Sequence, residues 1–408
     1  MMDSKGRRRF VVLCEELPPQ SGGVAQFTHD ICSYLHQTGQ LLAAISLNPP
    51  TGVDLGFPYE SIPLPDRRSG RRLGDSFWPT RKLTSALVRL QTEWSYRVAA
   101  RLRRRLAELK KQNDSRVVWD TYTVHHPQVV PRVLEPEGHR YWLLFHGLDL
   151  IGAQAGGEAI SAVCQTADRV VFNSEATKQL YRDLGFVPAA KESICYPGID
   201  VAKAREAIDA QRGRNLFPQL PPHRFLVVSM CRLVKRKGID LALRAMQLFG
   251  KSHPDACYAI AGTGSELPAL KRLCTSLGLD GNVLFAGHIS HDEKYNLLAQ
   301  ADAFVMPNRS LGGRDFEGFG ISFLEAGIAG AVAIGGRHGG ACEAIEDGVT
   351  GFSVDTESDE VAVGQIVQHL ERLYADPALR LAMGQAAADR VLREFDIGLI
   401  LENLTATA

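Results

Sequence analysis

Several signals that would classify a protein quickly are missing from this chain. Its eight cysteines (14, 32, 164, 195, 231, 257, 274 and 342) include no Cys-x-x-Cys pair, which argues against a zinc site or a redox motif. Several of them sit inside apolar runs and read as buried free thiols of a reducing cytoplasm. No Asp-x-Asp occurs anywhere, so the usual carboxylate pair that holds a divalent ion on a nucleotide diphosphate is absent and no metal site is expected. No apolar run approaches the roughly 18 residues needed to span a bilayer. The basic segment Lys5–Arg9 leads only into Phe10–Cys14 before Glu15 and Glu16, too short an apolar centre for a secretory signal, so export is not expected. Net charge is missing too: 46 basic and 46 acidic side chains cancel, which excludes a nucleic-acid binder driven by bulk charge. A composition of 45% hydrophobic and 23% charged residues excludes a disordered chain and a collagen-like fibre.

What is present is alternation. At roughly 150 residues per domain, the 408 residues point to two or three domains. Phe10–Cys14, Leu42–Leu47, Val117–Trp119, Trp142–Phe145 and Val170–Phe172 read as strands, with helical patterns at Val24–Gln37, Lys82–Lys111 and Glu175–Leu184. These strands are apolar throughout, as a sheet covered on both faces requires. The stretch Gly213–His223, with Pro218, Pro221 and Pro222, has no periodicity and reads as a linker. After it, Phe225–Met230, Tyr258–Ala261, Val283–Phe285, Phe304–Met306 and Ala331–Ile334 are strand-like, and Asp240–Phe249, Leu267–Leu277, Asp292–Ala299 and Ile321–Ala329 helix-like. From Glu360 to about Phe395 the pattern is helical only. Two doubly wound, Rossmann-like α/β domains with parallel sheets follow. Their expected bounds are 1–212 and 224–385, joined by 213–223 and followed by a helical segment 386–408. Ligands of such sheets sit beyond the carboxyl ends of the strands, in a cleft if two domains face each other.

Charge is unevenly spread. Between Arg67 and Lys111 fourteen Lys or Arg stand against Asp75, Glu93 and Glu108, a surplus of eleven that the remaining chain offsets. Such a surface suits anions, whether phospholipid headgroups, phosphorylated substrates or RNA; a solvated helix would show the same composition.

The polar residues just after strands carry the chemistry. Phe304–Met306 is followed by a polar loop to Glu317, then Gly318-Phe319-Gly320 opening an apolar helix at Ile321 with Glu325 in its second turn. Glycines there let a backbone approach a ligand, and free N–H groups of a first helical turn suit a phosphate. Two carboxylates reaching one ligand would accept hydrogen bonds from sugar hydroxyls. Directly after Phe225–Met230 come Arg232 and Lys237, five apart in a loop, a pair of charges suited to a diphosphate in its ground state and as a leaving group. Lys235 and Arg236 between them could equally face solvent. Ser21-Gly22-Gly23-Val24 follows the first strand without forming the G-x-G-x-x-G fingerprint, so a dinucleotide site is poorly supported. Phe145-His146-Gly147-Leu148-Asp149 places a histidine past another strand, where it could bind sugar oxygens or stabilise charge. For His125 and His126 a structural role leads. Gly262-Thr263-Gly264-Ser265-Glu266 opens a further helix.

The segment from Phe304 to Gly327 resembles the E-x7-E signature of retaining, nucleotide-sugar-dependent glycosyltransferases of the GT-B fold. They belong to the large family 4, which includes sucrose-phosphate synthases and phosphatidylinositol mannosyltransferases. The resemblance extends over Val283–Asp355, including Gly339, Gly340, Glu343, Asp347, Gly348, Gly351 and Phe352, and more weakly into the first half. It implies a GT-B architecture whose C-terminal helices cross back to brace the first, acceptor-binding domain. It implies transfer of a hexose from a nucleoside diphosphate sugar to an acceptor hydroxyl with front-face retention, no metal and no separate cofactor. Glu317 would then hold the sugar, Glu325 the ribose, and Arg232 with Lys237 the diphosphate. Gly23 and His146 would lie by the transferred sugar, Gly262 and Gly264 by the nucleotide, and Gly287 by the base. The loop Ser310–Phe316 is similar to that of mannosyltransferases acting on lipid acceptors, which favours GDP-mannose. The basic stretch Arg67–Lys111, in the domain that would handle the acceptor, suits a lipid-linked acceptor and a peripheral position on the cytoplasmic face of an anionic membrane; a polysaccharide acceptor stays open. UDP-glucose or UDP-N-acetylglucosamine as donor stays open. So do a sugar-nucleotide epimerase, which shares the fold, and a non-catalytic sugar-nucleotide sensor; no specific nucleic acid is expected.

Overall fold

The computed structural model describes residues 9–14, 17–18, 22–47, 54–62, 99–111, 116–120, 133–134, 138–153, 157–187, 191–311 and 317–406. Packing divides the chain into a first unit, Met1–Phe172 with Lys178–Ile194 and Thr405–Ala408, and a second, Asn173–Thr177 with Cys195–Leu404.

The first unit holds seven strands: β1 (Phe10–Cys14), β2 (Leu41–Ser46), β3 (Tyr59–Ser61), β4 (Arg116–Asp120), β5 (Tyr141–Phe145), β6 (Arg169–Phe172) and β7 (Glu192–Ile194). They lie in the order β3-β2-β1-β4-β5-β6-β7, and every pair is parallel. The second unit repeats the plan with β8 (Phe225–Met230), β9 (Ala256–Ala261), β10 (Val283–Gly287), β11 (Ala303–Met306), β12 (Val332–Gly336) and β13 (Gly351–Val354). Their order is β10-β9-β8-β11-β12-β13, again all parallel.

Alternation along β8 shows why its sequence is apolar at every position. Phe225 and Val227 enter one core, with Phe249, Ile366 and Leu370. Leu226 and Val228 enter the other, with Phe304, Leu324 and Val391. Helices therefore cover both faces, as parallel crossovers demand. In the first unit residues 99–111 are helical and turn Leu102, Leu106 and Leu109 inward; the rest of the expected helix from Lys82 lies outside the described residues. The strands the sequence does not announce, β3, β7 and β13, all lie at sheet edges. β3 and β7 are only partly buried, so they carry no continuous apolar run.

The boundary between units also departs from expectation. The proline-bearing stretch 213–223 is not a link between units but part of the second. Helix Val201–Gln211, capped by Asp200 whose carboxylate accepts the Lys203 N–H at 3.0 Å, buries Val201, Ala204 and Ala207 with Phe217 in the second unit's core. Buried Asn296 then donates its amide to the carbonyls of Gln211 (3.1 Å) and Arg214 (2.9 Å). Prolines that break periodicity can thus mark a packed coil as well as a free one. Residues 386–404 likewise group with the second unit, where Phe395 packs on Phe319 (5.5 Å between ring centroids) and Tyr196 (5.7 Å); only Thr405–Ala408 group with the first.

Replacing Asn296 by alanine removes its amide from both carbonyls and leaves that of Gln211 with the Arg214 N–H only. Asn296→Ala is expected to lower the second unit's stability by about 1–3 kcal/mol, seen as a lower urea midpoint at unchanged slope. An unmoved midpoint would show that 211–214 is not anchored this way.

Candidate functional site

In the second sheet the strand order reverses between β8 and β11, and the loops leaving their carboxyl ends therefore flank one crevice. The β8 loop begins at Cys231 and is pinned to the β9 loop by backbone hydrogen bonds. Cys231 N–H donates to Ala261 (3.1 Å), Leu233 N–H to Thr263 (2.8 Å), and Glu266 N–H back to Leu233 (3.0 Å). Such closeness explains Gly262 and Gly264: a Cβ on them would stand 1.9 Å from the Cys231 carbonyl oxygen and 2.2 Å from that of Leu233. After this anchor the chain tightens into a 3₁₀ turn, Lys235–Lys237, and passes through Gly238 at φ 69° into helix Ile239–Phe249.

The turn drives two cations inward. Arg236 and Lys237 are only 7% and 8% exposed. Both meet one oxygen of Glu317: Lys237 Nζ lies 2.5 Å from Oε2, and Arg236 NH1 donates to the same atom. Burial alone would raise the Glu317 carboxyl, but the charges of Lys237 and Arg236, and their hydrogen bonds, override it and hold the group below its ordinary range. Glu317 is therefore ionised at neutral pH. Arg232, by contrast, is exposed and has no ion pair among the described residues.

Glu317 is fixed through its backbone as well. Its carbonyl accepts the Gly340 N–H at 2.9 Å, and Gly340 packs so closely that a Cβ would lie 2.1 Å from the Gly318 carbonyl oxygen. Buried Asn308 ties the β11 and β12 loops together, donating to the His338 carbonyl (3.0 Å) and accepting from Gly336 N–H (3.1 Å). Next to it Arg309 donates its N–H to the Arg236 carbonyl at 2.8 Å, while its guanidinium pairs with Asp240 and Asp359.

Beyond Glu317 the chain opens helix Ile321–Ile328 through Gly320 at φ 93°. Phe319 is buried against Tyr196 at 5.3 Å, so only its backbone can serve a ligand. Glu325, one turn into the helix, pairs with Lys294 at 2.6 Å. Lys294 belongs to helix His291–Gln300, whose start is set by a capping box between Ser290 and Glu293. Burial, with the Lys294 charge, pushes the neighbouring His291 imidazole below its ordinary value.

His146 and Gly23 fall in the first unit, on elements that touch through Phe27. Gly23 opens helix Gly23–Gln37, and Phe27 of that helix meets the His146 ring edge-on at 5.9 Å. The His146 turn is organised by Asp149, which accepts the N–H groups of His146 (2.9 Å), Gly147 (2.7 Å) and Leu150 (3.0 Å). His125, His126, Ser21 and residues 312–316 lie outside the described residues. Sequence reading misses Arg236, Asn308, Arg309 and Lys294. Nothing in a Lys-Arg-Lys run says which member turns inward, and a lone Asn after a strand carries no spacing signal. Glu343 accepts the N–H groups of Glu175 and Ala176 at 2.8 Å each, at the start of helix Glu175–Asp183.

Among the described residues no three His, Cys, Asp or Glu side chains are grouped to hold a metal ion, and no helix is long and apolar enough to cross a membrane.

A family described as Glycosyl transferases group 1 matches residues 215–390, the part of the chain that builds the Glu317 site. Over 304 residues the chain is 31% identical to the GDP-mannose-dependent alpha-(1-6)-phosphatidylinositol monomannoside mannosyltransferase of Mycobacterium tuberculosis, covering 73% of this chain and 76% of that one. Over 232 residues it is 38% identical to the protein of the same name from Mycolicibacterium smegmatis, covering 56% of this chain and 58% of that one. A solved structure of Anabaena HepE in complex with UDP and glucose superimposes with a TM-score of 0.74 at 16% identity, over 98% of this chain and 99% of that one. That likeness is one of fold: two open parallel sheets of the GT-B class. With similarity over most of its length to relatives of that kind, the chain belongs to the glycosyl transferases group 1 family.

Proposed function

We propose that this protein is a retaining, metal-independent glycosyltransferase that moves a hexose, mannose in the favoured reading, from a nucleoside diphosphate sugar to an acceptor hydroxyl. The observation that carries the proposal is the buried Glu317 carboxylate with Lys237 and Arg236 on one oxygen, at the strand-order reversal where such sheets bind ligands. In this reading Lys237 and the exposed Arg232 hold the diphosphate. Glu317 accepts hydrogen bonds from the sugar's hydroxyls through its other oxygen, and Glu325 those of the ribose. The N–H groups of Gly318–Ile321 add the positive end of a helix. Gly262 and Gly264 border the nucleotide, while His146 and Gly23 serve the transferred sugar.

The chemical step needs no protein nucleophile. The anomeric carbon–phosphate oxygen bond breaks, the acceptor oxygen bonds to that carbon on the same face, and the acceptor's proton passes to the leaving phosphate oxygen. What the protein supplies is charge aimed at the leaving group in a water-poor site. Arg232, Lys237 and the helix N-terminus take the place of a divalent ion.

The names of the two mannosyltransferase relatives support GDP-mannose as donor and a phosphatidylinositol-linked acceptor. A lipid-linked acceptor also suits the basic stretch Arg67–Lys111 and an anionic membrane surface as partner. Within its described part Arg101, Arg104 and Lys111 are exposed, whereas Arg105 is engaged by Glu60 and Glu108.

Lys237→Ala and Arg232→Ala are each expected to weaken donor binding and cut turnover about 100-fold or more. Unchanged donor kinetics in both would end the diphosphate assignment.

Glu317→Gln keeps the volume and removes the charge. It should still bind the bare nucleoside diphosphate, measured by calorimetry, but lose transfer, whereas Glu325→Ala should weaken the nucleotide itself. If both lose only sugar affinity, the division of labour between the two carboxylates is wrong.

Activity assayed in EDTA should fall by less than about threefold, since positive charge at the leaving group comes from side chains and helix N–H groups. A full loss restored by magnesium or manganese would sink the metal-free mechanism.

A further inference from the structure

The roles above leave one buried cation without a task. Arg236 is as deeply buried as Lys237 and touches the same Glu317 oxygen. Once donor phosphate draws Lys237 away, a buried carboxylate would remain, and an unpaired one is strongly disfavoured in its ionised form. The two cations differ in their freedom to respond. Lys237 ends in a point charge on a flexible stem, whereas Arg236 presents a planar fork. The Arg236 backbone is also held, its carbonyl accepting the Arg309 N–H at 2.8 Å, with Arg309 locked in turn by Asp240 and Asp359.

We propose that Arg236 is a positioning residue for Glu317, keeping the carboxylate ionised and aimed at the sugar after Lys237 has turned to the donor phosphate. This rests on the reading of Lys237 as a diphosphate ligand and Glu317 as a sugar ligand. Both cations meet the carboxylate in the structure; with donor phosphate on Lys237, Arg236 alone retains it. Arg236 thus acts through Glu317 rather than on the donor.

The test uses the full chain, with GDP and GDP-mannose as probes, or UDP and UDP-glucose if those are what the unsubstituted protein turns over. Arg236→Met should bind the nucleoside diphosphate within about threefold of the unsubstituted protein yet lose about 30-fold or more in kcat, and Arg236→Lys should recover most of that loss. In a Glu317→Gln background, Arg236→Met should add less than about threefold, because its route of action is already gone. Three results would overturn the proposal. One is Arg236→Met weakening the nucleoside diphosphate as strongly as Lys237→Ala does, making Arg236 a phosphate ligand. Another is a kcat loss that multiplies with that of Glu317→Gln, placing its action elsewhere. The third is an unchanged kcat. If Arg236→Met does not fold, Arg236→Gln, which keeps an N–H donor toward Glu317, carries the same comparison. Failure of the underlying reading looks different: Lys237→Ala would then leave nucleoside diphosphate affinity unchanged, or Glu317→Gln would leave transfer unchanged.

Discussion

A carboxylate taken out of water must be matched by positive charge, and in this protein that demand is met at Glu317. Burial penalises its ionised form, and the charges and hydrogen bonds of Lys237 and Arg236 reverse the balance. Much of the second unit's loop structure follows from bringing these three side chains to one point. The 3₁₀ turn at Lys235–Lys237 aims the cations inward. Gly340, packed against Gly318, holds the Glu317 carbonyl from the other side. Asn308 joins the loops after β11 and β12, and Arg309 joins the β11 loop to the backbone of Arg236.

The sheet supplies the location. Strand order reverses between β8 and β11, so helices from these strands leave to opposite faces and their loops are left to line the crevice. Glycine is what lets the loops come close enough to share hydrogen bonds: a side chain at 262, 264 or 340 would overlap a neighbouring carbonyl. These contacts are made by backbone, so they set positions without leaving much trace in side-chain chemistry. The cost of such crowding is rigidity, which a site that must orient a sugar and a diphosphate together can use.

The alternation of apolar strands and amphipathic helices, and the punctuation of glycines and charges after strands, were legible without coordinates because each is a local consequence of a two-sided parallel sheet. Interior strands such as β1 and β8 are recognisable for this reason. Edge strands β3 and β7, covered less, are not. The stretch 213–223 misleads for the same local reason. Its prolines and lack of periodicity describe a coil, while Asn296 and the core around Phe217, both remote in sequence, decide that the coil is packed.

At the site the division is similar. The strand-loop-helix context of the sequence places Glu317, Arg232 and Lys237 in loops at strand ends, and the family resemblance pairs them with hydroxyls and phosphates. They do not say which cation of the run Arg232 to Lys237 is buried, because that depends on where the 3₁₀ turn points each side chain and on what stands 80 residues away in sequence. Nor do they show that Glu325 meets Lys294, a contact between two helices. By itself the sequence determined the interior strands, their alternation with helices and the chemical character of the loops, since these follow from local periodicity. Which charges are paired and buried was decided only by the tertiary structure, since electrostatic partners are chosen by distance in space.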